Sequence, residues 1–333
     1  MIMHNPPNPT AAGASQTDKK HVLVILDEYA SSFCHYVNPK GGSGQSQLIS
    51  HSTLKKVIEF LKFKYYTPQF LFGNACLPDS YELELSQIEH VRIVPVSHPK
   101  AYPNSIIVIN PDEYRVPGVL GNISAEVLIL RILKQDVARL AEIVTPILDK
   151  CKRLNISLVE IEDYNDEDIR QYRKQLDLIS KSLANCYKEK QAVEVNCLTD
   201  RLMLRQMNNC NAGITHFAIA PDGRFYTCPA FYYCGDSSIG DIEGEDNFPN
   251  SHLLDIKYSP ICSVCDAFHC KRCVFLNKKL TLEVNTPSWQ QCKIAHAERD
   301  SSRFLLSMID WPIPEITYDD PFILVKEKDK SKG

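Results

Sequence analysis

Along the first two thirds of the chain, short apolar runs alternate with segments whose apolar residues recur at helical spacing. Residues 21–26 form an almost uninterrupted apolar run, which predicts a strand buried on both faces of a sheet. Residues 52–65 carry apolar side chains every three or four positions, which predicts an amphipathic helix. Further strands are predicted at residues 68–72, 91–96, 106–109, 156–161 and 192–198. This alternation is typical of an α/β domain with a largely parallel sheet, open or partly closed into a barrel.

Two longer segments have the periodicity of helices. The first is predicted over residues 137–154, where Pro146 is expected to introduce a kink and Cys151 lies on the apolar face. The second is predicted to begin at residues 165–168, whose acidic side chains suit a helix N-terminus. Residues 77–113 have no clear helical pattern, so the regular alternation is expected to fail there.

From about Cys197 onward, periodic segments become short and turn-forming residues become frequent. Residues 214–220 and 224–233 flank the sequence Pro-Asp-Gly, which predicts a β-hairpin with Gly223 at its turn. A segment of this kind has little core of its own. We therefore expect metal sites to fix its fold.

Changes in composition along the chain set the predicted domain boundaries. Residues 1–19 are polar and rich in Pro, Ala and Ser, which predicts a disordered N-terminal tail. Residues 20–196 are predicted to form the α/β domain, and residues 197–300 a cysteine-rich domain. Residues 301–333 are predicted to be a C-terminal extension, and its charged end, residues 326–333, is expected to fray.

Composition and charge exclude several classes of partner. A chain of 333 residues has room for two domains, and a net charge of −4 without a basic stripe gives no reason to expect nucleic acid. No stretch of about eighteen apolar residues predicts a membrane span. The first residues lack the apolar core of a signal peptide, so we expect a cytoplasmic protein. In that reducing compartment, closely spaced cysteines are expected to bind metal rather than to form disulfides.

Seven of the thirteen cysteines fall in one ordered run, which is the most informative feature of the sequence. The run reads C-x12-G-x4-C, then C-x2-C-x4-C-x2-C after a gap, and a last cysteine eighteen residues later: Cys210, Cys228, Cys262, Cys265, Cys270, Cys273 and Cys292. Thiolates at this density are ligands for soft metal ions, and they suit iron–sulfur clusters. Zinc is the alternative, because the C-x2-C pairs Cys262/Cys265 and Cys270/Cys273 together would make one tetrahedral site.

The order and number of these cysteines resemble the SPASM domain, the auxiliary iron–sulfur module at the C-terminus of many radical SAM peptide-modifying enzymes. The resemblance covers roughly residues 197–300, and residues 219–228 and 239–242 look like the family's hairpin and the segment after it. The family's central spacing is usually C-x2-C-x5-C-x3-C, so both later gaps are one residue short in this chain.

The resemblance implies two [4Fe–4S] clusters whose ligands are interleaved along the chain. One cluster would be held by Cys262, Cys265, Cys270 and Cys292. Three irons of the second would be held by Cys210, Cys228 and Cys273. In the family the fourth ligand of the second cluster comes from upstream, where Cys197 is the best candidate and Cys234 the next. An iron left open for another ligand is a further possibility.

The motif that binds the cluster for S-adenosylmethionine in radical SAM enzymes, C-x3-C-x2-C, is degenerate in this chain. At its usual place after the first barrel strand, Cys34 stands at the middle position, while Ala30 and Val37 occupy the flanking ones. One thiolate cannot hold a cluster that needs three. We therefore do not expect this chain to cleave S-adenosylmethionine, and we interpret Cys34 as a lone, partly buried cysteine.

A degenerate radical SAM-like partial barrel followed by a SPASM-like domain is similar to the CXXX repeat peptide maturases, which are encoded beside radical SAM enzymes and cysteine-repeat peptides. This resemblance implies an iron–sulfur maturation protein for a ribosomally synthesised cysteine-repeat peptide, acting beside a separate radical SAM enzyme. The protein would pass electrons, or bind substrate thiolates at an open iron. The alternative is a zinc-stabilised peptide-binding module without redox activity. Residues 20–195 contain no acid–base pair or nucleophile that predicts an independent enzyme.

Several other residues could take part in chemistry but are expected to have structural roles. His216, His269 and His296 are near cluster cysteines in sequence, and we expect them to lie beside the ligands or at the surface. Cys151 and Cys186 are predicted core residues.

Overall fold

The computed structural model describes residues 21–41, 45–189, 191, 193–203, 210–244, 251–254, 258–262, 265–267, 270 and 272–309. The predicted tail at residues 1–19 and the predicted frayed end at residues 326–333 lie outside the described residues, and so does His269.

The strands of the described residues form one ten-stranded sheet in the order β10-β9-β8-β1-β2-β3-β4-β5-β6-β7. Seven strands run parallel in chain order: β1 (His21–Ile25), β2 (Thr67–Leu71), β3 (Val91–Pro95), β4 (Ile106–Ile109), β5 (Ala125–Ile132), β6 (Cys151–Leu158) and β7 (Glu194–Val195). On the other side of β1, the sheet continues with β8 (His216–Ile219), β9 (Arg224–Tyr226) and β10 (Gly240–Asp241). The predicted fold class, an α/β protein with a largely parallel sheet, is confirmed.

The helices of the described residues vary from single turns to more than twenty residues. They are α1 (His51–Lys64), α2 (Asp79–Leu85), α3 (Pro111–Tyr114), α4 (Val119–Asn122), α5 (Leu140–Val144), α6 (Asp166–Lys188), α7 (Asp200–Met203), α8 (Pro229–Tyr233), α9 (Val274–Thr281) and α10 (Trp289–Leu306). Among the described residues, no helix combines the length and the apolar character needed to cross a membrane.

The central strand β1 is buried on both faces, as its apolar run predicts. Val22 and Val24 belong to a core cluster with the apolar face of α1, whereas Leu23 and Ile25 belong to the larger cluster that includes α6 and α10. The larger cluster also contacts six partly buried cysteines: Cys34, Cys151, Cys186, Cys210, Cys228 and Cys273. These cysteines therefore lie against the main core of the protein.

The predicted start of α6 is confirmed, with a cap of the expected chemistry. The Asn165 side chain accepts hydrogen bonds from the backbone N–H groups of Glu167 and Asp168, and the Asp168 carboxylate accepts one from the N–H of Asn165. This reciprocal pair satisfies donors that have no partner within the helix.

The helix predicted over residues 137–154 is wrong in its second half. Short 3₁₀ turns at Lys134–Arg139 and Thr145–Ile147 flank α5, and strand β6 begins at Cys151. Pro146 lies in the second of these turns, where its missing N–H and its ring prevent the helix from continuing. Cys151 is therefore a strand residue, and burial raises the pKa of its thiol to about 12.

The predicted hairpin is confirmed at its turn but is shorter than expected. Strands β8 and β9 are antiparallel, and Gly223 has a φ of +77°, in the left-handed region that glycine adopts without strain. The segment 229–233 forms helix α8 instead of extending β9. Because β8 pairs with β1 in parallel, with His21 opposite His216, sequence on both sides of the predicted boundary at 197 shares one sheet.

The opposite edge of the sheet contains a buried ion-pair network. The Arg153 guanidinium on β6 donates to Glu194 Oε2 on β7 at 2.6 Å and to both Asp200 carboxylate oxygens on α7, at 2.9 and 3.0 Å. The Arg153 and Glu194 side chains have no solvent exposure, and that of Asp200 is 4% exposed. The network thus joins β6, β7 and α7 where no water screens the charges.

Candidate metal centres

Four cysteines of the predicted run line one cavity. They are Cys262, Cys265, Cys270 and Cys292, named here the outer cysteine group. Three of them lie in the loop region before α9, and Cys292 lies in the first turn of α10. The Ser288 side chain caps α10 by accepting from the Gln291 N–H, which fixes the turn that carries Cys292.

The remainder of the cavity lining is largely apolar: Ile261, Ala267, Pro287 and Ala295. Burial raises the pKa of the Cys270 thiol to about 12. Burial also raises the pKa of Cys292, and the charges of Cys262 and Cys265 raise it further. These surroundings favour the protonated form of the Cys270 and Cys292 thiols. A bound metal ion reverses that preference, because it neutralises the thiolates.

A buried cation beside these thiols lacks acceptors for part of its guanidinium. Arg272 lines the same cavity and is 3% exposed, with one terminal nitrogen donating to the Leu254 carbonyl. Its Nε and second terminal nitrogen have no hydrogen-bond partner among the described residues. An unsatisfied buried donor is costly, and the sulfurs of a negatively charged thiolate–metal centre would accept from it. The donor set of the cavity therefore fits an anionic metal–sulfur group.

The rim of the outer group contains a second type of donor set. The Cys265 Sγ, a carboxylate oxygen of Asp266 and a ring nitrogen of His296 all lie within 4.8 Å of one another. The Cys265 Sγ and the His296 Nε2 are 3.6 Å apart. Burial lowers the pKa of His296, so its ring is neutral at pH 7 and can donate to sulfur or bind a metal ion.

A second set of four thiols surrounds the junction between the sheet and the cysteine-rich segment. We name Cys34, Cys210, Cys228 and Cys273 the inner cysteine group. Burial, followed by the charges of the other three thiols, raises the pKa of Cys273. Burial and the charge of Cys210 raise the pKa of Cys228, and Cys34 adds to the effect. All four side chains are partly buried against the main core cluster.

Two short helices position two members of the inner group. Cys228 is the N-cap of α8, and Cys273 is the N-cap of α9. The Phe231 and Phe275 rings contact edge to face, with centroids 5.6 Å apart, and this contact packs α8 against α9. Backbone N–H groups of both helices partly oppose the raised pKa values, which is the expected effect of N–H···S hydrogen bonds at a helix N-terminus.

Strand β8 positions the third member, Cys210. The Cys210 Sγ lies 3.7 Å from the His216 Nε2 at the start of β8. Burial lowers the pKa of His216 to about 4, so the imidazole is neutral at pH 7. Both His216 and His296 thus lie beside cysteines of the run, as their positions in the sequence predict.

Cys34, which the sequence led us to interpret as a lone cysteine, lies within the inner group. Arg131 on β5 donates to the backbone carbonyls of Cys34 and Tyr36, at 3.0 and 2.7 Å. The Tyr36 ring stacks on the Tyr233 ring of α8 with centroids 5.7 Å apart. The loop after β1 is therefore fixed against the helix that Cys228 caps. The position of Cys34 directly after β1 was the available signal in the sequence. The spacing of the cysteines could not show that this loop packs near the inner group.

The two predicted upstream ligands lie in different surroundings. Cys197 is 4% exposed, and burial raises the pKa of its thiol, which is also affected by Glu298, Tyr172 and Arg201. Cys234 is exposed and lies near Lys278 and Lys279. Of the eight predicted ligands, seven fall into the two groups described above, whereas Cys197 lies beside the Glu298–Arg201 ion pair.

Comparisons with known proteins identify solved structures with a similar fold. No protein-family model matches the chain, and no curated protein matches it in sequence. A solved structure of histidine-tagged anSMEcpe with bound AdoMet matches with a TM-score of 0.57 and 12% identity, covering 87% of this chain and 95% of that one. Native anSMEcpe with bound AdoMet and Cp18Cys peptide matches with a TM-score of 0.57 and 11% identity, covering 87% and 99%. Streptococcus suis SuiB bound to precursor peptide SuiA matches with a TM-score of 0.49 and 12% identity, covering 82% and 76%.

Both anSMEcpe structures, whose TM-scores are above 0.5, contain bound AdoMet, and one of them also contains a bound peptide. At this level of identity the likeness concerns the fold, and the chain has the α/β partial-barrel architecture of these proteins. The predicted fold of the α/β part is confirmed on this point.

Proposed function

We propose that the protein is an iron–sulfur maturation protein for a ribosomally synthesised cysteine-repeat peptide, acting as a redox or substrate-binding partner of a separate radical SAM enzyme. Each group of thiols would hold one [4Fe–4S] cluster. The clusters would provide one-electron chemistry, in which a reduced cluster gives one electron to an oxidised cluster of the partner enzyme or receives one from it.

The observation that carries the proposal is the way the cysteines divide between the two groups. Cys262, Cys265, Cys270 and Cys292 line one cavity, whereas Cys273 is outside that lining, caps α9 and packs against the main core, as Cys210 and Cys228 do. This interleaving is what two four-thiolate clusters require. A single zinc site made from the two C-x2-C pairs would need Cys273 in the cavity.

Surrounding donors support an anionic metal–sulfur group at both places. Arg272 presents unsatisfied N–H groups at the outer cavity. Near the inner group, the hydroxyls of Tyr36 and Tyr233 are buried without a hydrogen-bond partner among the described residues. Cluster sulfides and thiolate sulfurs accept hydrogen bonds from such donors, and these bonds tune the reduction potential.

Peptide binding is supported by the fold and by the degenerate motif. A neighbour of similar fold has a peptide and AdoMet bound. This chain has alanine and valine at two of the three positions that would hold the AdoMet cluster, Ala30 and Val37. A partial barrel without that cluster is suited to present a peptide while a partner enzyme carries out the radical chemistry.

One observation favours a second candidate, a zinc-stabilised peptide-binding module. Cys265, Asp266 and His296 offer sulfur, oxygen and nitrogen ligands within 4.8 Å of one another, which is a donor set that zinc accepts. Such a module would bind the precursor peptide and do no redox work.

Metal analysis of protein purified without oxygen separates the two candidates. The iron–sulfur proposal expects about eight irons and about eight acid-labile sulfides per chain, with broad absorbance near roughly 400 nm. One or two zinc ions per chain without sulfide would contradict it and favour the zinc module.

The peptide role is tested by a binding titration under the same anaerobic conditions. A fluorescent peptide with cysteine repeats is titrated with the holoprotein, and a matched peptide with serine in place of every cysteine is the control. Saturable binding of the cysteine peptide, with weaker binding of the serine peptide, is expected if the thiols are recognised. Equal and non-saturating signals for both peptides would contradict the proposed substrate class.

A further inference from the structure

We infer that Cys34 is the fourth protein ligand of the inner iron–sulfur cluster, completing the set of Cys210, Cys228 and Cys273. This inference rests on the proposed function, because it presupposes that the inner group holds a cluster. It assigns a ligand role to the single cysteine that remains of the degenerate C-x3-C-x2-C motif, and it connects the partial barrel to the cysteine-rich segment through the metal centre.

The first support is the packing that brings the four segments together. Strand β1, which leads into the Cys34 loop, pairs in parallel with β8, the first strand after Cys210. Tyr36, two residues after Cys34, stacks on Tyr233 of α8, and Phe231 of the same helix contacts Phe275 of α9. The two ring contacts join the segments that carry Cys34, Cys228 and Cys273 into one unit.

The second support is the anchoring of the Cys34 loop. Arg131 is 6% exposed and donates to the Cys34 carbonyl, to the Tyr36 carbonyl and to the Asn110 side chain at 2.7 Å. Two of these hydrogen bonds hold the loop, and the third fixes the guanidinium itself against Asn110. Ligands fixed in advance by their surroundings are what a cluster site needs.

The third support is a pair of buried hydroxyls without partners. Tyr36 is 5% exposed, and neither its hydroxyl nor that of Tyr233 has a hydrogen-bond partner among the described residues. A cluster held between Cys34 and Cys228 would offer sulfur acceptors to donors that otherwise have none.

The competing ligand, Cys197, already has other partners. Its side chain is 4% exposed and is buried in the same core cluster as Tyr172, whose hydroxyl donates to Glu298 at 3.1 Å. Ser302 of α10, the helix that carries the outer ligand Cys292, donates to the backbone carbonyls of Cys197 and Leu198 at 3.5 and 2.8 Å, so the Cys197 segment is held against that helix. Recruiting Cys197 to the inner group would disrupt this buried network.

Four cysteine ligands would leave the inner cluster no open iron. A substrate thiolate then has no vacant coordination position at this cluster. The inference therefore favours electron transfer over direct binding of substrate sulfur as the role of the inner centre.

The test compares Cys34→Ala with Cys197→Ala in full-length holoprotein purified without oxygen. Iron, sulfide and electron paramagnetic resonance spectra are measured after mild oxidation and after reduction by dithionite. Circular dichroism checks that each variant is folded. For Cys34→Ala we expect iron to fall from about eight to between about four and seven per chain, with a three-iron cluster signal after oxidation if the cluster survives. Cys197→Ala should keep about eight irons and the wild-type spectrum.

Two results would overturn the inference, and they differ in what else they overturn. Wild-type iron content and spectra in Cys34→Ala, with loss of iron in Cys197→Ala, would replace Cys34 by Cys197 and leave the proposed function intact. A wild-type protein that holds zinc and no sulfide would overturn both the inference and the proposed function. If Cys34→Ala fails to fold, Cys34→Ser is measured instead. Serine keeps the size of the side chain, and an unchanged cluster spectrum in that variant would count against ligation by Cys34.

Discussion

The inner and outer cysteine groups differ in the length of chain from which they are assembled. The outer group draws all its thiols from residues 262–292, a segment with little regular structure before α9 and α10. The inner group draws on four separate segments, and one of them is the loop after the central strand β1. The outer group is therefore a local site, with all its cysteines in the cysteine-rich segment, whereas the inner group links that segment to the partial barrel.

Because the two groups are assembled from different lengths of chain, loss of each metal centre should destabilise a different part of the protein. A metal centre that joins distant segments contributes to the folding free energy of all of them, because the ligands are not held together in the unfolded chain. Loss of the inner centre should therefore disturb the junction with the sheet. Loss of the outer centre should disturb mainly its own loop.

The largest effect is expected for Cys273→Ala. This substitution removes an inner ligand at the N-cap of α9, and we expect the inner cluster to be lost, with iron falling from about eight to about four per chain. The melting temperature should fall by roughly 10 °C or more, because several kcal/mol of metal-coupled folding energy disappear. Differential scanning calorimetry under nitrogen measures the change. A melting temperature equal to that of wild type would show that the inner group is not a structural junction.

The buried ion-pair network around Arg153, at the opposite edge of the sheet, also joins separate segments but contains no metal ligands, so it serves as a comparison for the inner group. Glu194→Gln removes one carboxylate from the fully buried Arg153 site and should lower the free energy of unfolding by about 3–5 kcal/mol. Iron content should stay at about eight per chain, because Arg153, Glu194 and Asp200 belong to neither cysteine group. Denaturant unfolding and iron analysis measure the two quantities.

The control for this substitution is Glu142→Gln, at an exposed pair with Arg139. It should change the unfolding free energy by less than about 0.5 kcal/mol. If Glu194→Gln also removed iron, the far edge of the sheet and the metal centres would be coupled, and the proposed separation of the two regions would be wrong.

A smaller structural effect is expected for Cys292→Ala in the outer group. Iron should again fall to about four per chain, but the melting temperature should fall by only a few degrees, roughly 2–4 °C. Cys234→Ala is the matched control, because Cys234 is exposed and belongs to neither group. If the melting temperature of Cys292→Ala fell as far as that of Cys273→Ala, the outer group would not be a local site and the proposed difference between the two groups would be wrong.

Arg272→Gln is expected to have the smallest effect, a change in reduction potential. Loss of the buried positive charge beside the outer cavity should make the outer cluster harder to reduce, by roughly tens of millivolts. The inner cluster should keep its potential. Anaerobic redox titration followed by electron paramagnetic resonance measures both, and Arg170→Gln, at an exposed site of α6, is the control. Equal shifts of both clusters would contradict the assignment of Arg272 to the outer centre.

The outer group was predictable from the sequence, because its ligands are close together and their spacing resembles that of a known module. The inner group was only partly predictable. Its fourth thiol, Cys34, reaches the others through the parallel pairing of β1 with β8 and through ring contacts, and spacing contains no information on either. Cys197 was the upstream cysteine nearest in sequence, but it packs against Tyr172 and Arg201 instead.

The fold was predictable to a similar extent. Apolar runs located β1 to β4 to within a residue or two, because buried parallel strands need continuous apolar sequence. The boundary between α5 and β6 was missed, because the apolar positions on both sides of Pro146 fit helical spacing. In the folded protein the helix ends before Pro146 and residues from Cys151 onward pair with β5 as a strand. Helix α10 was missed as well, although it packs against α6 through Tyr172 and Glu298.

The most direct test of the central claim is the mass of the intact holoprotein, measured by native mass spectrometry without exposure to oxygen. Two [4Fe–4S] clusters predict a mass about 700 Da above that of the chain, and an increase of about half as much is predicted for Cys273→Ala and for Cys292→Ala. An increase of only about 65 or 130 Da would correspond to one or two zinc ions. That result would contradict the iron–sulfur account of both cysteine groups.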